Sequence, residues 1–426
     1  MVKYTLAGCA WLIAMLSFAT ETPLKTTDFV YEPQIRTVLF YPTGSDPVAA
    51  VLQPPVVSLQ QATPLILEFD ELGDKINYYR AKVIFCNVDW SISNLSDMDI
   101  TPRFNEFTFE QPQLSGNNAR VLYTHQRLEV PQVKLPGNYL LVVYHENNPK
   151  DLVVTRRFVV YNTQAVITPR ITFSTGITER TTNQQVEFTI DYGTLNVGNP
   201  WTDLKVVIRQ NYQWYTTITN LKPTSVREDQ HIAEYRQFNL ENNFPGVNEF
   251  RFFDIRSIRT LGQNVAKINS SQDTTQVYLA VGESRSREGY SQVVDQNGRF
   301  VIDQYEFSNG STEADYVRVF FTLKADPVKE PVYIWGALTD WQTSNTNRMT
   351  YSAEDQVYRG SLLLKQGYYN FRYVVAKPGN KLDEAWFEGN HFETENVYEI
   401  IVYNRPPGAR ADMIIGYIMV DHNKRR

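Results

Sequence analysis

The run Leu135-Pro136-Gly137-Asn138-Tyr139-Leu140-Leu141-Val142-Val143-Tyr144 sets a chain reversal directly ahead of a stretch of aliphatic and aromatic side chains. Pro-Gly-Asn supplies the backbone angles of a tight turn. The apolar stretch is too short for a helix and lacks its 3.6-residue spacing, so it reads as a strand. The same arrangement recurs outward in both directions, at 153–161, 205–209, 316–323, 332–335, 369–375 and 397–403. Turn chemistry separates these runs, at 42–46, 115–118 and 377–380 among other places. No capped segment sustains helical periodicity, and a single helical turn is expected near 381–387. Strands at this spacing without intervening helices imply an all-β chain of antiparallel sandwiches.

A length of 426 residues allows two to four domains at about 150 residues each. One break follows Tyr161, where Asn162-Thr163-Gln164 leads into a new strand; another is the polar segment 282–287. These breaks predict three consecutive immunoglobulin-like β-sandwiches at 28–162, 163–285 and 290–426. The 42% hydrophobic content excludes wholesale disorder. A net charge of −6 argues against nucleic acid as a partner, since phosphates need a basic stripe. The two cysteines, Cys9 and Cys86, exclude a disulfide scaffold, and five histidines leave little for zinc or His-based catalysis.

Residues 1–19 combine Lys3, an apolar run and Ser17-Phe18-Ala19, the pattern of a secretory signal peptide cleaved after Ala19. Leu6-Ala7-Gly8-Cys9 matches a lipoprotein box, but only five residues precede it, and the apolar run continues beyond it. No later stretch reaches membrane-spanning length, so an exported mature chain without a transmembrane segment is expected.

Catalytic motifs are missing: there is no GxSxG, Walker loop, GxGxxG, HExxH or CxxC. His391, Glu393 and Glu395 fall on alternate positions of one strand face, which suits a solvated polar face better than a metal. Asp97 and Asp99 lie close together, but glycoside hydrolysis needs two carboxylates at a set distance across a cleft. Cys86, between Phe85 and Asn87, reads as a buried inert thiol with no electropositive neighbour. The basic tail Lys424-Arg425-Arg426 reads as a solvated terminus. The expectation is a non-enzyme with no cofactor and no metal.

Residues 332–373 hold Trp335-Gly336, then Asp340-Trp341, and later Lys365-Gln366-Gly367 before an aromatic strand. This order resembles the early-set immunoglobulin-like modules that include glycogen- and starch-binding domains. That resemblance implies two readings. Trp335, Trp341 and Trp386 could form a flat platform for sugar rings, or the tryptophan after the Gly turn could fold back as core. The core reading is favoured.

A more specific succession runs through the N-terminal part. It comprises Tyr79 with Cys86 and Trp90, then Arg103-Phe104-Asn105-Glu106-Phe107, Tyr123-Thr124-His125 ahead of Pro131, Gly137-Asn138-Tyr139-Leu140, and Arg156-Arg157-Phe158. This succession resembles the plug protein family of the type IX secretion system. The resemblance implies a non-catalytic periplasmic protein at the inner face of the outer membrane, which docks on the translocon barrel and closes its pore. A carbohydrate-binding multidomain protein is the alternative. Trp90 and Tyr139 read as core, and His125 as a residue hydrogen-bonded within its strand.

Overall fold

The computed structural model describes residues 23–422, apart from 62, 117–118, 272–273, 308–309 and 380. The signal segment 1–19 and the tail Lys424-Arg425-Arg426 lie outside these residues. The strand that decides the fold is Gly137–His145, and its first eight residues are buried. Tyr139, Leu141 and Val143 enter a sandwich core. Leu140, Val142 and Tyr144 point the other way and pack with Cys86 and Trp90. Both faces are covered, so the run has no need of polar alternation.

The described strands form six sheets arranged around three cores. In the first body, one sheet runs Phe29–Val30, Asn148–Tyr161, Gly137–His145, Tyr79–Cys86, Phe107–Thr108. Facing it are Ile35–Pro42, Leu65–Leu72, Tyr123–Val130 and Gln113–Leu114. Phe69, Phe85, Tyr139 and Phe158 fill the space between. Tyr139 stacks on Phe158 at 5.1 Å between centroids.

The second body shows where strand pairing departs from the expected spans 163–285 and 290–426. One of its sheets comprises Val166–Phe173, Asn183–Asp191, Ile232–Tyr235 and Ser225–Arg227. The facing sheet is Ile218–Thr219, Leu204–Gln210, Val397–Asn404 and Met413–Asp421. Leu204–Gln210 pairs antiparallel with Val397–Asn404 along its whole length, from Leu204↔Asn404 to Gln210↔Tyr398. The last two strands of the chain therefore complete the middle sandwich rather than the final one. An open edge beside Leu204–Gln210 would expose a row of unpaired amides and carbonyls, and Val397–Asn404, buried at all eight positions, removes it.

The third body is thus inserted into the second. Gly367–Lys377 carries Arg251–Asp254, Phe300–Ile302, Val332–Trp335 and Lys381–Asp383. Opposite lie Val265–Ser270, Thr275–Leu279, Tyr316–Lys324, Val357–Lys365 and Thr350–Ser352. Gly336, at φ 155°, ends strand Val332–Trp335 where an added Cβ would meet Asn370 O at 3.0 Å and Leu338 Cδ2 at 2.9 Å. A side chain there would push apart the turn that returns Trp341 to the body.

Candidate functional site

Among the described residues, no cleft gathers the candidate residues into a catalytic constellation. The buried polar groups concentrate at the seams between bodies. The seam between the first and third bodies is built on Asp70, in strand Leu65–Leu72, with 1% of its surface exposed. His125 Nδ1, from the neighbouring strand Tyr123–Val130, lies 2.8 Å from Asp70 Oδ1. From the third body, the Tyr316 hydroxyl donates to Asp70 Oδ2 at 2.7 Å, and Lys365 Nζ donates to the same oxygen at 2.6 Å. Thr37 sits at φ 51° in a bulged stretch of Ile35–Pro42, and its Oγ1 lies 2.6 Å from the Tyr316 oxygen. Bulges re-aim side chains in this way. Tyr123 closes the group: its hydroxyl donates to the Ala314 carbonyl at 2.8 Å, and its ring centroid lies 4.1 Å from Lys365 Nζ.

Burial by itself would raise the Asp70 carboxyl, but the Lys365 ammonium and the His125 contact outweigh it and hold the group below its ordinary value. Burial draws the Lys365 ammonium down, opposed by Asp70. The carboxylate has a cation and two further donors within reach, the condition under which a buried ion pair is held rather than merely tolerated. Beside it, Asp315 Oδ1 accepts the amide N–H groups of Arg120 and Val121 at 3.0 and 3.1 Å, fastening a first-body loop to the third body.

The seam between the first and second bodies is more apolar. Val159 packs with Val207, Ile401, Tyr403 and Ile414. Trp90 meets Trp214 edge-on at 4.8 Å, and Tyr161 stacks on Tyr417 at 4.9 Å. The Tyr403 hydroxyl donates to Asn138 Oδ1 at 2.9 Å, and Asp412 accepts the Val88 amide at 3.1 Å and Lys205 Nζ at 2.9 Å. Where all three bodies meet, a recess of about 110 Å³ is lined by Arg156, Arg157, Arg209, Arg299, Asp340 and Trp341, among others.

Trp335 is 1% exposed, with its ring edge-on to Trp341 at 5.8 Å and Tyr215 at 5.5 Å, so it offers no face to a sugar. Trp341 also leans on Phe250 at 6.1 Å. Trp386 is 43% exposed and has Lys377 Nζ 3.6 Å from its ring centroid. Among the described residues, His391, Glu393 and Glu395 do not bring three ligand atoms together; Glu32, His145 and Asp151 do, within 4.8 Å. Glu32 Oε1 lies 2.7 Å from His145 Nε2, within hydrogen-bond distance, and Asp151 is exposed beside them. Asp99 accepts from Ser96 in a capping box and pairs with Arg410, which together lower its carboxyl to about 2. Asp97 accepts from Asn105 Nδ2 at 2.8 Å. Burial pushes the Cys86 thiol up to about 12, far from thiolate chemistry.

The sequence motifs divide between core and seam: Tyr79, Phe107, Tyr139 and Phe158 fill the first-body core, and others lie at the seams. Tyr123 and His125 belong to the Asp70 group, Trp90 faces the second body, and Arg156 and Arg157 line the recess. Their partners Lys365, Trp214 and Asp340 lie far away in sequence, so local patterning gave no signal for them. On the outer surface of the first body, Ile92, Met98 and Phe104 are 52%, 84% and 82% exposed. Phe104 borders a groove of about 570 Å³ with Pro102, Phe107, Leu128 and Pro131.

The type 9 secretion system plug protein first-domain model matches residues 35–162. A crystal structure of a hypothetical protein from Parabacteroides merdae ATCC 43184 aligns with a TM-score of 0.87 and 31% identity, over 94% of this chain and 100% of that one. The chain belongs to the type IX secretion plug protein family. No curated protein matches it. The matched span of the plug domain contains Asp70, Trp90, His125, Arg156 and Arg157, so the first-body half of each seam falls inside it. Family and all-β fold together suggest a non-enzymatic role in type IX secretion, at the cell envelope. No helix among the described residues is long and apolar enough to cross a membrane.

Proposed function

We propose that this plug-family protein acts in the periplasm as a stiff stopper that docks on the outer-membrane translocon barrel and closes its pore between export events, with no chemistry of its own. The observation that carries this reading is the seam built on Asp70. A stopper must keep its shape under load, and here separate sandwiches are joined by buried ion pairs and hydrogen bonds instead of flexible linkers. A preformed body loses little ordering entropy on docking. Release requires a reversible interface, which is polar with few apolar anchors. Met98 and Phe104, exposed on the first body with Phe104 at the rim of a partly apolar groove, are suitable anchors.

The test is co-purification with the barrel from outer-membrane extracts. The chain is expected in the barrel complex, and F104D combined with M98D should reduce its recovery at least tenfold while leaving the melting temperature unchanged. Repeated absence of the unmodified chain from that complex would overturn the reading.

A further inference from the structure

We propose that the recess at the three-body junction is a binding site for a small oxyanion of the phosphate class. Each body contributes an arginine: Arg157 from the first, Arg209 from the second and Arg299 from the third. Three acids, Asp340, Glu399 and Asp28, stand against these arginines and Arg156, and Glu399 Oε2 is buried without a hydrogen-bond partner. Asp340 pairs with Arg156 at 2.8 Å. Glu399 pairs with Arg209 Nη2 at 2.6 Å. Asp28 accepts the backbone N–H of Arg157 at 2.6 Å.

What remains is a set of unused donors. Among the described residues the Arg299 guanidinium makes no hydrogen bond or ion pair; it lies 5.3 Å from the Tyr212 ring and is attracted by the Glu399 carboxylate without touching it. Arg209 is 2% exposed, and its Nε is buried without a partner. Arg157 spends Nε on the Thr26 carbonyl at 2.7 Å. Trp214 keeps the planes in place, with Arg209 at 4.0 Å and Arg157 at 5.3 Å from its ring. Burial lowers Arg157 and Arg299 to about 10, with repulsion from Arg209 adding to it and attraction from Asp28 on Arg157 and from Glu399 on Arg299 opposing it.

Cations crowded into a recess raise the energy of the folded state unless an anion joins them. A volume of about 110 Å³ is several times the roughly 10–15 Å³ that one water requires. Arginine forks match the oxygens of tetrahedral oxyanions in pairs. Three forks approaching from three bodies suit an acceptor with at least three oxygens, whereas a monocarboxylate offers two. Such an ion would tie the three bodies together at one point and stabilise the folded chain in proportion to its concentration.

Thermal unfolding of the full chain in inorganic phosphate, against chloride and acetate at matched ionic strength and pH, tests this. The melting temperature is expected to rise along a saturating curve in phosphate and to stay flat in acetate. R299M should melt at or above the unmodified chain in chloride, because it removes an unpaired cation, and should lose the phosphate response. An unmodified chain that responds equally to phosphate and chloride overturns the site, as does an R299M response equal to the parent's. Should R299M fail to fold, ³¹P line broadening of inorganic phosphate by the unmodified chain decides: broadening relieved by equimolar sulfate supports the site, and its absence refutes it.

Discussion

Two polar junctions hold this molecule together, and they are balanced in opposite ways. At Asp70 one carboxylate gathers Lys365, Tyr316 and His125, and its charged form is favoured. At the arginine recess Asp340 is pushed above its ordinary value by burial despite the Arg156 pair, and repulsion from Asp28 adds to the rise. At the first junction the carboxylate is fully engaged by the chain's own side chains, although His125 Nε2 is left without a partner; at the second, four arginines face three acids. The contrast separates a contact that fixes shape from one that leaves room for an outside ion.

The largest effect should come from breaking the complete junction. D70A strands Lys365 as a buried unpaired cation, and a loss of about 3–5 kcal/mol is expected in denaturant unfolding. K365M added to D70A should recover much of that loss, since two apolar replacements leave no orphaned charge. An additive double mutant would break the picture of one coupled group. The Asp70 carboxyl is lowered, so its contribution is present above the ordinary carboxylate range and is lost as pH falls below about 4 through the folded value.

A seam of opposite sign sharpens the comparison. Glu249, at the boundary of the second and third bodies, is raised to about 7 by burial and by repulsion from Asp295. The Tyr290 hydroxyl donates to it at 2.6 Å and the Glu395 amide at 2.9 Å. Between the ordinary carboxylate range and about pH 7, the folded chain binds this proton and the unfolded chain does not, so stability should rise as pH falls through that window. E249Q should flatten the rise and add roughly 1–3 kcal/mol at pH 8, measured by urea unfolding across pH. The smallest change is expected at the recess. Asp340 keeps 35% of its side chain accessible, so D340N should cost about 1 kcal/mol or less. A loss as large as that of D70A would mean the two junctions are built alike.

Local patterning made the all-β class legible, because period-two and short apolar runs depend on neighbouring residues alone. It also placed Tyr139 and Trp90 inside, where they are buried. It could not show which edge a strand joins. Val397–Asn404 looks like any apolar strand, and its pairing with Leu204–Gln210 depends on an open edge nearly two hundred positions earlier. The junction residues were hidden for the same reason. His125 was expected to bond within its strand; its partner Asp70 lies one strand over, and the cation that completes the pair comes from another body.

The insertion of one sandwich within another has a consequence for synthesis. Gln210 leaves the ribosome 187 residues ahead of Val397, the first residue of the strand that pairs with it. In an exported chain folding follows translocation, so that edge waits on the far side until Val397–Asn404 has crossed, and until then the half-built sheet is a sticky template for any passing strand. A nonsense codon shortly before Val397 would leave the exposed edge permanent, and its product should aggregate even though most of the polypeptide has been made.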